Sequence, residues 1–245
     1  MTAATFVMLI VAGFASGLVG YVTGLASIVS YPALLFAGLS PLQANVTNTV
    51  ALVPVGIGSS AQSGKALLTD KRSLIRLGIL SALGGVVGAA ILLVSPAESF
   101  EVVVPYLVAF ASVAVLAQPF LRRLAGHREM PRSFEAGIFA VSIYGGYFGA
   151  GAGVIFLALS LVLTANPLWR ASLLKSALLG ISNLVAALIF TVTGPVHWTA
   201  ALAMGIGCLA GGWFGPPIVR RLPPTPLRIA IGIAGLGLAV WLAVR

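Results

Sequence analysis

Acidic residues are scarce in this 245-residue chain: five Asp and Glu stand against fourteen Lys and Arg, and only 8% of side chains are charged. A soluble domain of this length could not cover its surface with so few charges, so the apolar core of a large soluble enzyme is disfavoured. The single cysteine, Cys208, excludes a disulfide framework or cysteine metal cluster and reads as a small packing residue. Two histidines, His127 and His197, lie far apart near the edges of apolar runs. The carboxylates Asp70, Glu98, Glu101, Glu129 and Glu135 all fall in or beside loops. There is no Ser/His/Asp set, HExxH or CxxC motif, which argues against an intramembrane hydrolase or metalloenzyme and calls for neither cofactor nor metal. Basic stretches interleaved with aromatics are missing too. The net charge of +9 therefore does not point to nucleic acid.

What the chain does have is hydrophobic length. Fifty-nine per cent of residues are hydrophobic, and no charged side chain appears between Met1 and Gln62. Apolar segments fall at about 4–22, 25–38, 43–63, 74–95, 101–120, 135–149, 153–164, 171–193, 197–218 and 227–244. The expected fold is an all-α polytopic membrane protein in a lipid bilayer. It has about eight to ten transmembrane segments, including short broken or re-entrant ones. The start, "MTAATFVMLI", lacks a positive n-region and reads as a retained first span.

The stretch 121–134, "LRRLAGHREMPRSF", is the only long polar connection, and it divides the chain into halves at 1–120 and 135–245. The halves repeat. Gly17, Gly20 and Gly24 recur with the same spacing as Gly146, Gly149 and Gly153. Ala44 and Asn48 match Ala171 and Lys175, and Gly84, Gly85 and Gly88 match Gly211, Gly212 and Gly215, in both cases 127 residues on. Generic small-residue helix packing explains each glycine group separately but not the shared offset.

Charge placement orients the copies. Lys65, Lys71, Arg72 and Arg76 put the 64–76 loop inside; Arg122, Arg123, Arg128 and Arg132 do the same for the linker, and Arg220, Arg221 and Arg228 for 219–228. The 96–101 loop, with Glu98 and Glu101, and the 194–197 loop carry no Lys or Arg and fall outside. The loop after the third segment is thus inside and its counterpart after the eighth outside. That describes an inverted-topology duplication in the cell (plasma or inner) membrane, with both termini outside. The stretch 1–40 must then leave and return on one face, and 135–166 on the other. Their second arms, 25–38 and 153–164, are too short to cross hydrocarbon about 30 Å thick. Glycines mark both turns, where open backbone is tolerated only if buried in protein or lining a polar cavity.

One cation stands out against this background. Lys175, in "WRASLLKSALLGISN", sits eight residues past Pro167. Snorkelling to the cytoplasmic face would place it in solvent. Otherwise it lies deep, where an ionisable residue marks a functional site. Asn48, at the equivalent position of the first half, approaches from the other side. With no intramembrane acid nearby, a bound anion is the natural partner for Lys175. Thr47, Thr49, Ser172, Ser176 and Asn183 are candidate helpers, although Ser and Thr in helices often bond only their own backbone. The glycine backbone at Gly20, Gly24, Gly149 and Gly153, and helix N-termini near Ala44 and Ala171, are candidate donors to anionic oxygens.

The run "GLVGYVTGLASIVSYPALLFAGLSPLQANVTNTVAL" resembles the first signature of the sulfite exporter TauE/SafE family of membrane permeases. "GGYFGAGAG", "ASLLKSALLGISNLVAALIF", "GPVHW" and "GGWFGPPIVRRLPP" extend the resemblance over nearly the whole chain. It implies a transporter for sulfite, sulfonates or related organosulfur or small organic anions. The family's Thr-Asn pair corresponds to Thr47 and Asn48, its first-repeat proline to Pro32, and its Ala-x-x-x-Lys to Ala171 and Lys175. Three departures bear on the substrate: the sparser glycines of "TGLAS", Ser172 where Asn is frequent, and His197 where an acid is frequent. The expected function is export of a small anion by a secondary transporter using alternating access. A homodimer is compatible with it, and the alternative is a non-transporting scaffold or assembly subunit.

Overall fold

Proline opens three of the helices, at Pro41, Pro131 and Pro224, where its missing N–H costs nothing and its fixed φ suits the first turn. In a computed structural model, the residues described are 1–23, 26–67, 71–123, 130–166, 168–219 and 224–244; side-chain surroundings are described except at 21–23, 56–67, 118, 121–123, 168–169, 215–219, 224, 227–228 and 231. Gly24 and most of the 121–134 linker lie outside these residues.

The described residues form ten α-helices and no strand: α1 Ala3–Thr23, α2 Ala26–Phe36, α3 Pro41–Leu67, α4 Lys71–Val94, α5 Ala97–Arg123, α6 Pro131–Tyr147, α7 Ala152–Leu163, α8 Leu168–Thr193, α9 Trp198–Val219 and α10 Pro224–Val244. Each expected apolar segment corresponds to one helix, with ends shifted by a few residues. The 11 residues of α2 and the 12 of α7 rise only about 16 and 18 Å. Ala3–Gly20, Lys71–Val94, Ala97–Ala117 and Arg170–Thr193 are long and apolar enough to cross a membrane.

The halves interleave rather than fold side by side. Helix α1 packs on α9, and α6 packs on α4; α3 meets α8 and α5 meets α10. Small residues permit the closest approaches. Gly13 faces Met204 and Cys208, Gly17 faces Cys208, Gly211 and Gly212, and a Cβ on Gly207 would strike the Ile10 carbonyl. Gly84 faces Phe139 and Ser142, and Gly88 faces Ile143 and Tyr147. Residue numbers rise together across both contacts, so α1 runs parallel to α9 and α4 parallel to α6. Arg76 and Glu135 accordingly meet in an ion pair at 2.7 Å near the starts of α4 and α6.

Hydroxyls tie the second of these junctions to α8. Ser81 donates to the Leu178 carbonyl at 2.6 Å and shares a hydrogen bond with Ser142 at 2.9 Å, while Ser182 donates to the Ser142 carbonyl at 3.0 Å. One buried cluster runs through both halves, from Leu9, Tyr31 and Leu34 to Phe148, Phe190 and Met204. A second, around Leu77, Phe134, Ile138, Phe156 and Leu178, fills the space among α4, α6, α7 and α8.

The outside is also apolar. Ile75, Ile79, Leu83 and Ile91 of α4, Tyr106 and Phe110 of α5, and Leu202, Ile206 and Trp213 of α9 are all exposed. An apolar surface this extensive belongs in lipid. The chain is a multi-pass membrane protein.

The glycine contacts make a testable contrast. Gly88→Leu forces side-chain atoms into the Ile143 carbonyl and should destabilise by about 1–3 kcal/mol, the usual cost of overpacking. Gly237 has open space around its Cβ position, so Gly237→Ala should match or slightly exceed the parent. Thermal unfolding of the purified protein in detergent separates the two outcomes.

Candidate functional site

Helix α6 stops at Tyr147 because Gly149, at φ +77°, turns the chain into the left-handed region. The amides of Phe148 and Gly149 both donate to the Tyr144 carbonyl, at 2.9 and 3.0 Å, closing the helix end. Gly151, at φ +75°, then caps the start of α7. Two side chains hold this turn in place. The Tyr144 hydroxyl donates to the Ala150 carbonyl at 2.6 Å, and Nδ2 of Asn45 reaches over from α3 to donate to the Tyr147 carbonyl at 2.8 Å. Around them Tyr31, Phe100 and Phe148 meet edge-on or tilted, with ring centres 5.3–6.1 Å apart.

Beside the break lies a cavity of about 90 Å³ built from both halves. Gly20 of α1, Ala26 and Ser27 of α2, Leu52, Val53 and Val55 of α3, Gly149, Ala152 and Gly153 at the α6–α7 break, and Lys175, Ser176, Leu179, Gly180 and Asn183 of α8 line it. The first residues of both short helices, Ala26 and Ala152, face this space, so two helix N-termini bring positive dipole ends to it. None of the described lining residues is acidic.

Lys175 is 2% exposed, seven residues and about 10 Å of rise into α8. Its side chain lies within the protein and does not reach out to the aqueous face as snorkelling requires. Of the other expected residues, Ser176, Asn183, Gly20, Gly149 and Gly153 line the same cavity. Ser176 also donates to the Ser172 carbonyl at 3.1 Å, the local back-bond common for serine in helices.

Four expected residues are placed elsewhere. Thr47 accepts a hydrogen bond from the His197 amide at 3.0 Å, tying α3 to the start of α9; His197 in turn accepts from the Ala200 amide through Nδ1 at 3.3 Å and so serves as an N-cap. Thr49 donates to the Asn45 carbonyl at 3.1 Å. Asn48 is buried, and Ser172 half-buried, without lining the cavity. The helix N-termini also differ from expectation: α3 and α8 begin at Pro41 and Leu168, which leaves Ala44 and Ala171 fully buried inside their first turns. The N-termini that reach the cavity are those of α2 and α7.

The glycine triplets divide their labour. Gly17 and Gly146 serve close packing, against Gly212 and Gly85 respectively, whereas Gly20, Gly149 and Gly153 border the cavity. Sequence reasoning missed Ser27, Gly180 and above all Asn45. The signal for Asn45 was available as a second asparagine about one helical turn before Asn48 in the same charge-free span.

A larger pocket of about 370 Å³ opens near the starts of α4, α6 and α8, where Ser73, Glu135, Asn166 and Arg170 supply its polar groups. Glu135, already paired with Arg76, brings little free negative charge to it.

Comparison with known proteins places this arrangement. The family described as "Sulfite exporter TauE/SafE" matches residues 9–242. A probable membrane transporter protein, ORF9, of Sinorhizobium sp is 26% identical over 240 residues, covering 96% of this chain and 90% of its own length. The probable membrane transporter protein YunE of Bacillus subtilis (strain 168) is 26% identical over 245 residues, with 89% and 90% covered. A probable membrane transporter protein of Haemophilus influenzae is 22% identical over 222 residues, covering 88% and 86%. No solved structure matches. By extent and by residues, the chain belongs to the sulfite exporter TauE/SafE family of membrane transporters.

Proposed function

We propose that the protein exports a small anion, sulfite-like or sulfonate-like, by alternating access around the Lys175 cavity. The observation that carries this reading is a buried ammonium in a space lined from both halves with no acidic residue among the described lining. Holding that charge away from water costs roughly 2.5–3.5 kcal/mol on insertion scales, and an anionic guest offsets it. Ser27, Ser176 and Asn183 add hydrogen-bonding groups, and the N-termini of α2 and α7 add peptide dipoles aimed at the same point. A cell interior that is negative drives such an anion outward, by about 2.3 kcal/mol per charge per 100 mV.

Helix order supports oppositely oriented halves. Helix α3 runs with α9, and so with α1, but against α8, while α4 runs with α8, so α1 and α4 run in opposite directions. Helix α6 runs with α4, and therefore against α1, its own counterpart. Positive-inside placement then sets the pocket beside Arg170 on the cytoplasmic face, as the vestibule through which the anion arrives. Both termini lie outside in this arrangement. A non-transporting scaffold would expect Lys175 to reach solvent and no polar cavity between the halves; neither feature is favoured by the 2% exposure of Lys175 or by the mixed lining.

Reconstituted into vesicles, Lys175→Ala should lower sulfite flux at least tenfold, in keeping with the loss of a charged hydrogen bond worth about 1.5–3 kcal/mol. Retained flux with normal folding removes Lys175 from the site. Orientation is tested separately. A cysteine placed by Ser99→Cys should react with an impermeant thiol reagent from outside, and one placed by Ser73→Cys from inside, over the low background of the buried Cys208. Labelling of both from one face rules out the inverted arrangement.

A further inference from the structure

Among the described residues, two buried acceptors on α3 have no donor. Asn45 and Asn48 are 0% and 2% exposed, and among the described residues the Oδ1 of neither has a hydrogen-bond partner. The orientation of Asn45 is set by its amide nitrogen, which donates to the Tyr147 carbonyl at 2.8 Å and leaves the oxygen facing something else. Asn48 follows three residues later, so the two side chains are neighbours on one face of the helix.

The polarity of these atoms decides what they can hold. A carbonyl oxygen repels an anion and accepts only a donor or a cation. The Tyr147 carbonyl keeps a second lone pair, and it terminates α6, where the helix dipole presents its negative end. These donors are neutral amide and peptide oxygens. Divalent ions favour carboxylates, whereas neutral oxygens at a broken helix end suit sodium. We propose that Asn45 Oδ1, Asn48 Oδ1 and the carbonyl end of α6 bind a sodium ion.

The site lies close to the Lys175 cavity. Asn48 is four residues, about 6 Å of rise, before Leu52, which lines that cavity. A cation here attracts an anion there across a medium of low dielectric, so each tightens the other. This linkage rests on the anion-export reading; the sodium site itself does not.

The test uses the full chain in detergent, unfolded thermally in sodium chloride or choline chloride at equal ionic strength and without sulfite. Sodium should raise the midpoint by about 3 °C or more at saturating concentration. Asn48→Leu should abolish that shift, and Asn48→Asp should bring it on at roughly tenfold lower sodium because it adds a charge. Asn45 also closes α6, so its variants risk misfolding and the Asn48 pair bears the test. Equal midpoints in the two salts, or a sodium shift that survives Asn48→Leu, overturns the proposal; an ordered water on these oxygens would give that result. In a second arm, sodium should tighten sulfite binding about fivefold or more. A sodium shift without that linkage overturns the coupling alone. A failure of sulfite to bind in either salt speaks against the Lys175 reading and leaves the thermal result to judge the cation site.

Discussion

A helix that ends inside a protein has to satisfy its last carbonyls without bulk water, and much of this fold meets that demand at the α6–α7 break. Glycine at 149 permits the turn, but a turn alone leaves backbone oxygens open. Tyr144 covers one of them from within α6 and Asn45 covers another from α3. Because Asn45 belongs to the other half of the chain, this hydrogen bond ties the break to that half. The same contact brings α3 against the cavity wall, so the element that closes the helix end also fixes where Leu52, Val53 and Val55 line the cavity.

Lipid supplies no hydrophobic drive for helix association, so that closeness has to come from shape. It is supplied by glycines facing backbone: Gly17 on Gly212, Gly146 on Gly85, Gly207 on Ile10. These contacts join α1 to α9 and α4 to α6, across the halves. Longer side chains at these positions would separate the helices that frame the site. The bulky apolar residues are displaced to the outer faces of α4, α5 and α9, where acyl chains can pack on them.

Ten helices were legible because the apolar runs are long and bounded by proline, glycine or charge, and Lys175 was legible because nothing else ionisable lies at its depth. Finer geometry was not. Thr47, Asn48 and Thr49 are consecutive, and at 100° per residue they must point three ways; one meets the His197 amide, one bonds its own helix, and one is buried with an open oxygen. Composition cannot say which does which, because the answer depends on where α9 and α6 lie. The matched glycine triplets likewise hide two jobs under one spacing. Ala44 and Ala171 looked like helix starts because the apolar segments begin at about 43 and 171, yet the helices begin earlier, at a proline and at Leu168.

The comparison of Asn48 with Lys175 reaches further. They occupy corresponding positions, 127 residues apart, on two helices that pack together. A strictly symmetric pair of lysines there would bury two ammonium groups, each carrying its own desolvation cost. On the proposed anion reading, a pair of asparagines would leave no charge to select the substrate from water. Divergence to one of each removes both objections. The second half has a basic side chain at the cavity, and the first has a neutral amide whose buried oxygen has the opposite polarity. On the proposed reading, two related halves can in this way offer groups of opposite polarity at matching positions, one on α3 and one on α8.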